Sequence, residues 1–250
     1  MDIIQIITRE LKVEKWQVEA AVKLIDEGCT IPFISRYRKE ATGSLNDEQL
    51  RTLHERLTYL RNLEDKKNQV LGSIEEQGKL TPELKKQILD AQTLVVVEDL
   101  YRPYRPKRRT RAIIAKEKGL EPLANIIMLQ MTNKSLEEEA KAFLSEEKGV
   151  ETIEDAINGA KDILAEHISD EADYRIYLRK LTMDKGTVVS AAKNPEESSV
   201  YEMYYEFEEP IKKLAGHRVL ALNRGEKEKI LTVKISAPED EAMGWLQKQV

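Results

Sequence analysis

Residues 46–78 read NDEQLRTLHERLTYLRNLEDKKNQVLGSIEEQG. Apolar side chains recur at Leu50, Leu53, Leu57, Leu60, Leu63, Val70 and Ile74, in steps of three and four interrupted by Lys67. An α-helix turns once in 3.6 residues, so this spacing draws one stripe along one face. Asn46 is a good N-cap, and Asp47 and Glu48 fall in the first turn, where carboxylates complement the positive end of the helix dipole. The spacing predicts one continuous helix over 47–77, about 45 Å long at 1.5 Å per residue, stopped by Gly78. Gly72 weakens it locally, by up to ~1 kcal/mol relative to alanine. A stripe this narrow suits an intramolecular packing face better than a dimeric coiled coil.

Helical signals continue outward from this segment. Trp16, Ala20, Ala21, Leu24 and Ile25 share a face that ends at Gly28, and Thr30-Ile31-Pro32 turns into a short helix expected over Phe33 to Ala41. Thr81-Pro82-Glu83 is a start signal, an N-cap followed by proline at the first helical position. Leu94-Val95-Val96-Val97 has the look of a buried strand, but with no partner strand nearby it reads as a short helix capped by Thr93 and ended by Pro103. Thr110 caps the next helix, Glu121-Pro122 opens another, and Ser135 with Glu138 forms a capping box. Thr152 to Ile168 is amphipathic, and Ser169 or Asp170 caps a following helix through Leu181. Residues 187–191 and 230–236 alternate in strand fashion and are expected to pair. Pro238 with Glu239, Asp240 and Glu241 starts a helix that reaches Val250 without a stop signal, as expected of part of a longer protein. The fold class is therefore mainly α: an elongated multi-helix assembly around a long helix, with a minor two-strand element. The expected division is 1–130 and 131–250.

With 250 residues and 41% hydrophobic content, the chain can bury a core. The charged fraction of 34% covers the outer helix faces, and the net charge of −5 excludes wholesale coating of nucleic acid, so any such contact must be local. Cys29 is the single cysteine, which rules out an intramolecular disulfide and a thiolate metal cluster. The first residues lack a basic flank and a cleavage site, and no apolar run approaches membrane-spanning length. A cytoplasmic location is expected.

One segment departs from the acidic background. In EDLYRPYRPKRRTR, residues 98–111, six cations (Arg102, Arg105, Lys107, Arg108, Arg109, Arg111) follow one another with no acid between them. Two prolines disfavour helix, so the segment reads as a semi-rigid extended strap. Guanidinium forks suit phosphates, and the interleaved tyrosines suit bases. Arg105, Lys107, Arg108, Arg109 and Arg111 are the candidate nucleic-acid-binding residues. Glu98 and Asp99 are expected to neutralise the upstream end near Arg102. Alternatively, the arginines pair with acids of the same molecule.

Catalytic constellations are missing. Gly72 and Gly78-Lys79-Leu80 have the wrong spacing for a phosphate loop, and Leu80 stands where a hydroxyl is needed. His54, His167 and His217 lack ligand-spaced partners, and Cys29 has no adjacent base. The expectation is a non-enzyme with no metal and no cofactor.

A second unusual run, IPFISRYRKE over residues 31–40, resembles the opening block of the Tex family of bacterial transcription accessory proteins. LNDEQLRTLHERLTYLRNL (45–63), SIEEQGKLTPEL (73–84), the strap itself, Gly119-Leu120-Glu121-Pro122-Leu123 and HRVLALNRGE (217–226) are similar to further family blocks in the same order. The resemblance implies a mostly helical protein with a helix-turn-helix-like element. It also implies downstream RNase H-like, helix-hairpin-helix and OB-fold domains, which are absent from this chain. It implies nucleic acid as partner of the whole protein, bound without sequence preference. The alternative is a scaffold that docks RNA polymerase or ribosomal components with no nucleic-acid contact of its own. This chain is expected to be monomeric. Within it, Arg36 and Arg38 need anions if their helix packs inward, and Glu98 and Asp99 are the expected structural ion-pair partners.

Overall fold

A computed structural model describes residues 2–250. The backbone forms two units, one ending at Tyr101 and the other beginning at Arg102. The division falls before the expected 130/131 because the helices that follow residue 111 share a core with a helix near residue 160.

The first unit is organised by the long helix. Its helices are α1 (Ile3–Leu11), α2 (Lys15–Asp26), α3 (Ile31–Tyr37), α4 (Asp47–Glu76), α5 (Pro82–Asp90) and α6 (Leu94–Tyr101). The capping box of α4 is reciprocal. Gln49 N–H donates to Asn46 Oδ1 at 2.8 Å, and Asn46 N–H donates to Gln49 Oε1 at 3.1 Å. The stripe from Leu50 to Ile74 is buried throughout, uninterrupted by the glycine at 72. Lys67 lies in that stripe at 1% exposure, and its Nζ donates to the Leu89 carbonyl at 2.7 Å. Its aliphatic stem fills the seam, while the ammonium meets a carbonyl of the last turn of α5, where helix carbonyls lack intrahelical partners. The polar interruption in the sequence is thus a packed position.

Two bidentate forks clamp the preceding helices to α4. Arg56 holds Glu10 of α1 at 2.6 and 2.7 Å, and Arg61 holds Asp26 of α2 at 2.7 and 2.8 Å. The hydrogen bond from Arg61 holds the Asp26 carboxyl below its ordinary value. The segment Leu94–Tyr101 is helical, as its Thr93 cap implies, with Val96 N–H donating to Thr93 Oγ1. The α3 helix begins and ends earlier than the expected Phe33 to Ala41. Pro32 fits its first turn, where no N–H partner is required. Past Tyr37 the chain turns through Gly43, whose φ is +61°. A Cβ there would come within 2.6 Å of Trp16 Cη2, so glycine meets both a conformational and a packing demand.

The second unit contains two cores. In the first, α7 (Arg111–Glu117), α8 (Glu121–Leu129) and α9 (Leu136–Lys141) pack on α10 (Ile153–Asp170). Ala156, Gly159 and Ala160 give α10 a small-residue face. A Cβ on Gly159 would lie 2.3 Å from Leu120 Cδ1, which shows how closely the neighbouring chain approaches.

The second core follows α11 (Ala172–Lys185) and gathers Val188, Tyr201, Tyr204, Leu222 and Leu231 under a sheet. Strands β1 (Thr187–Ala192) and β3 (Leu231–Ser236) pair antiparallel, as their alternation predicts. The sheet also holds β2 (Glu206–Pro210), giving the order β2-β1-β3. This strand was illegible because EFEEP carries three glutamates and a proline. It is an edge strand, where charge and proline are tolerated and discourage further pairing. Helix α12 (Gly216–Lys227) packs on β3, and α13 (Glu239–Leu246) returns to α11, where Trp245 stacks on Tyr177 at 3.8 Å between ring centroids.

Candidate nucleic-acid interface

The strap is not extended from its start. Arg102–Tyr104 form a 3-10 turn, after which the chain runs irregularly to Thr110, whose Oγ1 accepts from Ile113 N–H and caps α7. Opposite it stands a row of acids on α10. Asp162, Glu166 and Asp170 are spaced by four residues and therefore share a helix face.

That row holds the strap at several points. Arg102 Nε donates to Asp170 Oδ1 at 2.7 Å, and Lys107 Nζ contacts both Asp170 Oδ2 and, at 3.2 Å, Glu166 Oε2. Thr110 Oγ1 donates to Glu166 Oε1 at 2.9 Å, and Arg111 Nε lies 3.7 Å from Asp162 Oδ1. Arg109 reaches Glu117 of α7 at 2.9 Å. Asp170 and Glu166 are largely withdrawn from solvent, so the pairs to Lys107 are screened less than a surface bridge.

The five candidate cations therefore separate. Lys107 is half-buried and committed to the acid row, which removes it from an exposed patch. Arg109 and Arg111 keep 70% and 86% of their side-chain surface open despite their bridges. Arg105 and Arg108 are exposed and, among the described residues, pair with no acid. Arg102 is neutralised, but by Asp170 and not by Glu98 or Asp99. The acid row was legible as Asp162, Glu166 and Asp170 at helical spacing. Nothing in the sequence said which segment it would face.

The other expected ion-pair set is rearranged. Glu98 binds Lys66 at 2.5 Å, and Lys66 also lies over the Tyr101 ring at 5.9 Å. Arg36 and Arg38 remain exposed, with Arg38 laid over the Phe33 ring at 5.2 Å. The physical reason is that α3 buries Ile34 and turns its cations outward, so they need no buried anion. Asp99 is buried in α6. His54, His167 and His217 are all exposed, and among the described residues no group of three His, Cys, Asp or Glu side chains is arranged to hold a metal ion. No helix among those residues is long and apolar enough to cross a membrane.

A leucine-seamed helical unit, joined through a cationic strap to a mixed helical and sheet unit, corresponds to a known two-part type. Residues 1–75 match the family model described as Tex-like protein N-terminal domain, and residues 132–249 match the one described as Tex central region-like. The chain belongs to the Tex family. It is 49% identical over 249 residues to the Bacillus subtilis protein YdcI, covering 98% of this chain and 35% of that protein. It is 40% identical over 243 residues to the transcriptional accessory protein Tex of Neisseria gonorrhoeae, covering 96% of this chain and 32% of that protein. Similarity extends to the S1 RNA-binding domain-containing protein 1 of Pongo abelii, at 30% identity over 256 residues, or 98% of this chain and 25% of that one. The chain thus spans about a third or less of the length of these relatives.

Proposed function

We propose that this chain is the N-terminal and central part of a transcription accessory protein that works on nucleic acid, and that its strap contacts the phosphate backbone. The observation that carries this reading is the division of labour within the strap. Lys107 and Arg102 anchor it to α10, while Arg105 and Arg108 project without acid partners beside the open side chains of Arg109 and Arg111. Anchored guanidinium groups lose less freedom on meeting a phosphate than they would on a loose tail. The names of two relatives, one a transcriptional accessory protein and one containing an RNA-binding domain, agree with a nucleic-acid role for the whole protein. In this reading the protein binds and does not turn over a substrate. It is monomeric and cytoplasmic and acts beside RNA polymerase or the ribosome.

Binding at the strap is weak and independent of sequence, because phosphate contacts orient but carry no base code. The test is titration of the 250-residue chain with a labelled duplex at low salt. Arg105→Glu with Arg108→Glu is expected to abolish binding, whereas Lys213→Glu, outside the strap, leaves it unchanged. Equal affinity of the strap variant and the parent chain overturns the reading. A protein-docking role is the second reading. It is favoured by the strong internal pairing of Arg102 and Lys107 and by exposed Val200, Met203 and Leu220 in the same unit.

A further inference from the structure

The block Ile31–Glu40 forms a surface of a different kind in the first unit. Ile34 is fully buried and fastens α3, while Tyr37 stands 68% exposed. Phe33 lies one helical turn before Tyr37, with ring centroids 5.4 Å apart and planes tilted by 44°. Arg38 covers Phe33 at 5.2 Å, so Phe33 contacts both a guanidinium and a second ring, while Tyr37 is the more open of the two rings. Arg36, Arg38 and Lys39 are all exposed, and among the described residues none of them pairs with an acid. Glu40 is the one acid in the block. In a chain of 45 acids and 40 cations, three unpaired cations flanking an open ring in the sequence are a local departure comparable to the strap.

We propose that this face is a stacking platform for single-stranded nucleic acid. A base stacks on Tyr37, whose ring contacts Phe33, itself covered by Arg38, and Arg36 and Lys39 meet the flanking phosphates. Every base has a π-face, so such a platform accepts any sequence, and cations beside the ring track the backbone. A duplex is excluded from this mode because its bases are already stacked. The platform is independent of the strap. It uses other residues in the other unit and requires unpaired bases, whereas the strap requires only phosphates.

The test is fluorescence anisotropy of the 250-residue chain with labelled oligothymidylate and oligouridylate of about 12 nucleotides, and with a duplex of the same length. Tyr37→Ala is expected to weaken single-strand binding by between about 5-fold and 150-fold, the range for removal of one base–aromatic stack. Tyr37→Trp restores it, and duplex binding is unchanged in both variants. Arg36→Glu with Lys39→Glu makes the single-strand salt slope shallower by about 0.7 for each phosphate no longer neutralised. Since Tyr37 is exposed, an unchanged melting temperature certifies that each variant is folded.

Unchanged single-strand affinity in folded Tyr37→Ala overturns the proposal. So does an oligoglutamate peptide that competes as strongly as the oligonucleotide, which would make the face a protein-docking surface. The strap variant Arg105→Glu with Arg108→Glu separates the two proposals. If it loses duplex binding while the Tyr37 dependence persists, both stand. If only Tyr37 matters, the strap reading alone fails.

Discussion

The strap and the α3 block are the two cation-rich segments of this chain, and they manage their charge in opposite ways. The strap has six cations in ten residues, and the acid row of α10 with Glu117 engages four of them. The α3 block has three cations, none with an acid partner among the described residues, and one of them, Arg38, lies over a ring. The strap lacks regular secondary structure between residues 105 and 110, so charge pairing supplies its anchorage. The α3 block is anchored by Ile34 and leaves its charges outward. Density of arginine in sequence is therefore a poor guide to free positive charge, and what lies opposite each segment decides.

The largest effect is expected from loosening the base on which α3 rests. Leu57 is buried in the α4 seam, and Leu57→Ala is expected to destabilise the first unit by about 2–5 kcal/mol. Denaturant melts read through Trp16 report the loss. A cost under about 0.5 kcal/mol would mean that the seam is not the core of that unit.

The second removes the anchor of the strap. Asp170→Asn keeps the shape but withdraws the carboxylate charge from Arg102 and Lys107, at an expected cost of about 1–3 kcal/mol. The same change loosens the strap, with Lys107 left to Glu166 alone, so affinity for duplex is expected to fall with stability. Affinity that rises instead would show that the freed Arg102 outweighs the loss of anchorage.

The third and smallest effect contrasts the charge clamps of the first unit. The hydrogen bond from Arg61 holds the folded-state pKa of Asp26 below its ordinary value. As pH falls, the unfolded chain takes up this proton first. The stabilisation is therefore complete above about pH 4 and is lost as pH drops through the lower folded value. Asp26→Asn should flatten that part of the acid stability curve, by less than about 1 kcal/mol because the pair is half exposed. Identical acid curves for parent and variant would remove the clamp from the account.

Local signals carried much of the fold. The capping residues Asn46, Thr81, Thr110 and Ser135 all start helices, since a cap is a contact within three residues and is visible in the sequence. The pairing of β1 with β3 was legible from alternation alone. What lay hidden depended on partners distant in the chain. Lys67 reads as an interruption until Leu89 is known to stand opposite it. β2 reads as a polar loop until β1 supplies its hydrogen bonds. Glu98 reads as a partner for Arg36 or Arg38 until Lys66 of the long helix is seen to reach it. The candidate site followed the same pattern. Composition marked the strap, but only the position of Asp162, Glu166 and Asp170 showed which of its cations remain open.

If an anchored strap presents a few open guanidinium groups to phosphate, duplex binding must weaken with salt in proportion to their number. Each phosphate neutralised contributes about −0.9 to the slope of log Kobs against log salt. Two to four contacts from Arg105, Arg108, Arg109 and Arg111 give a slope of roughly −2 to −3.5 for the unmodified 250-residue chain. Absence of duplex binding at the lowest salt, or a slope near zero, would contradict the account and leave the strap a structural or protein-docking element.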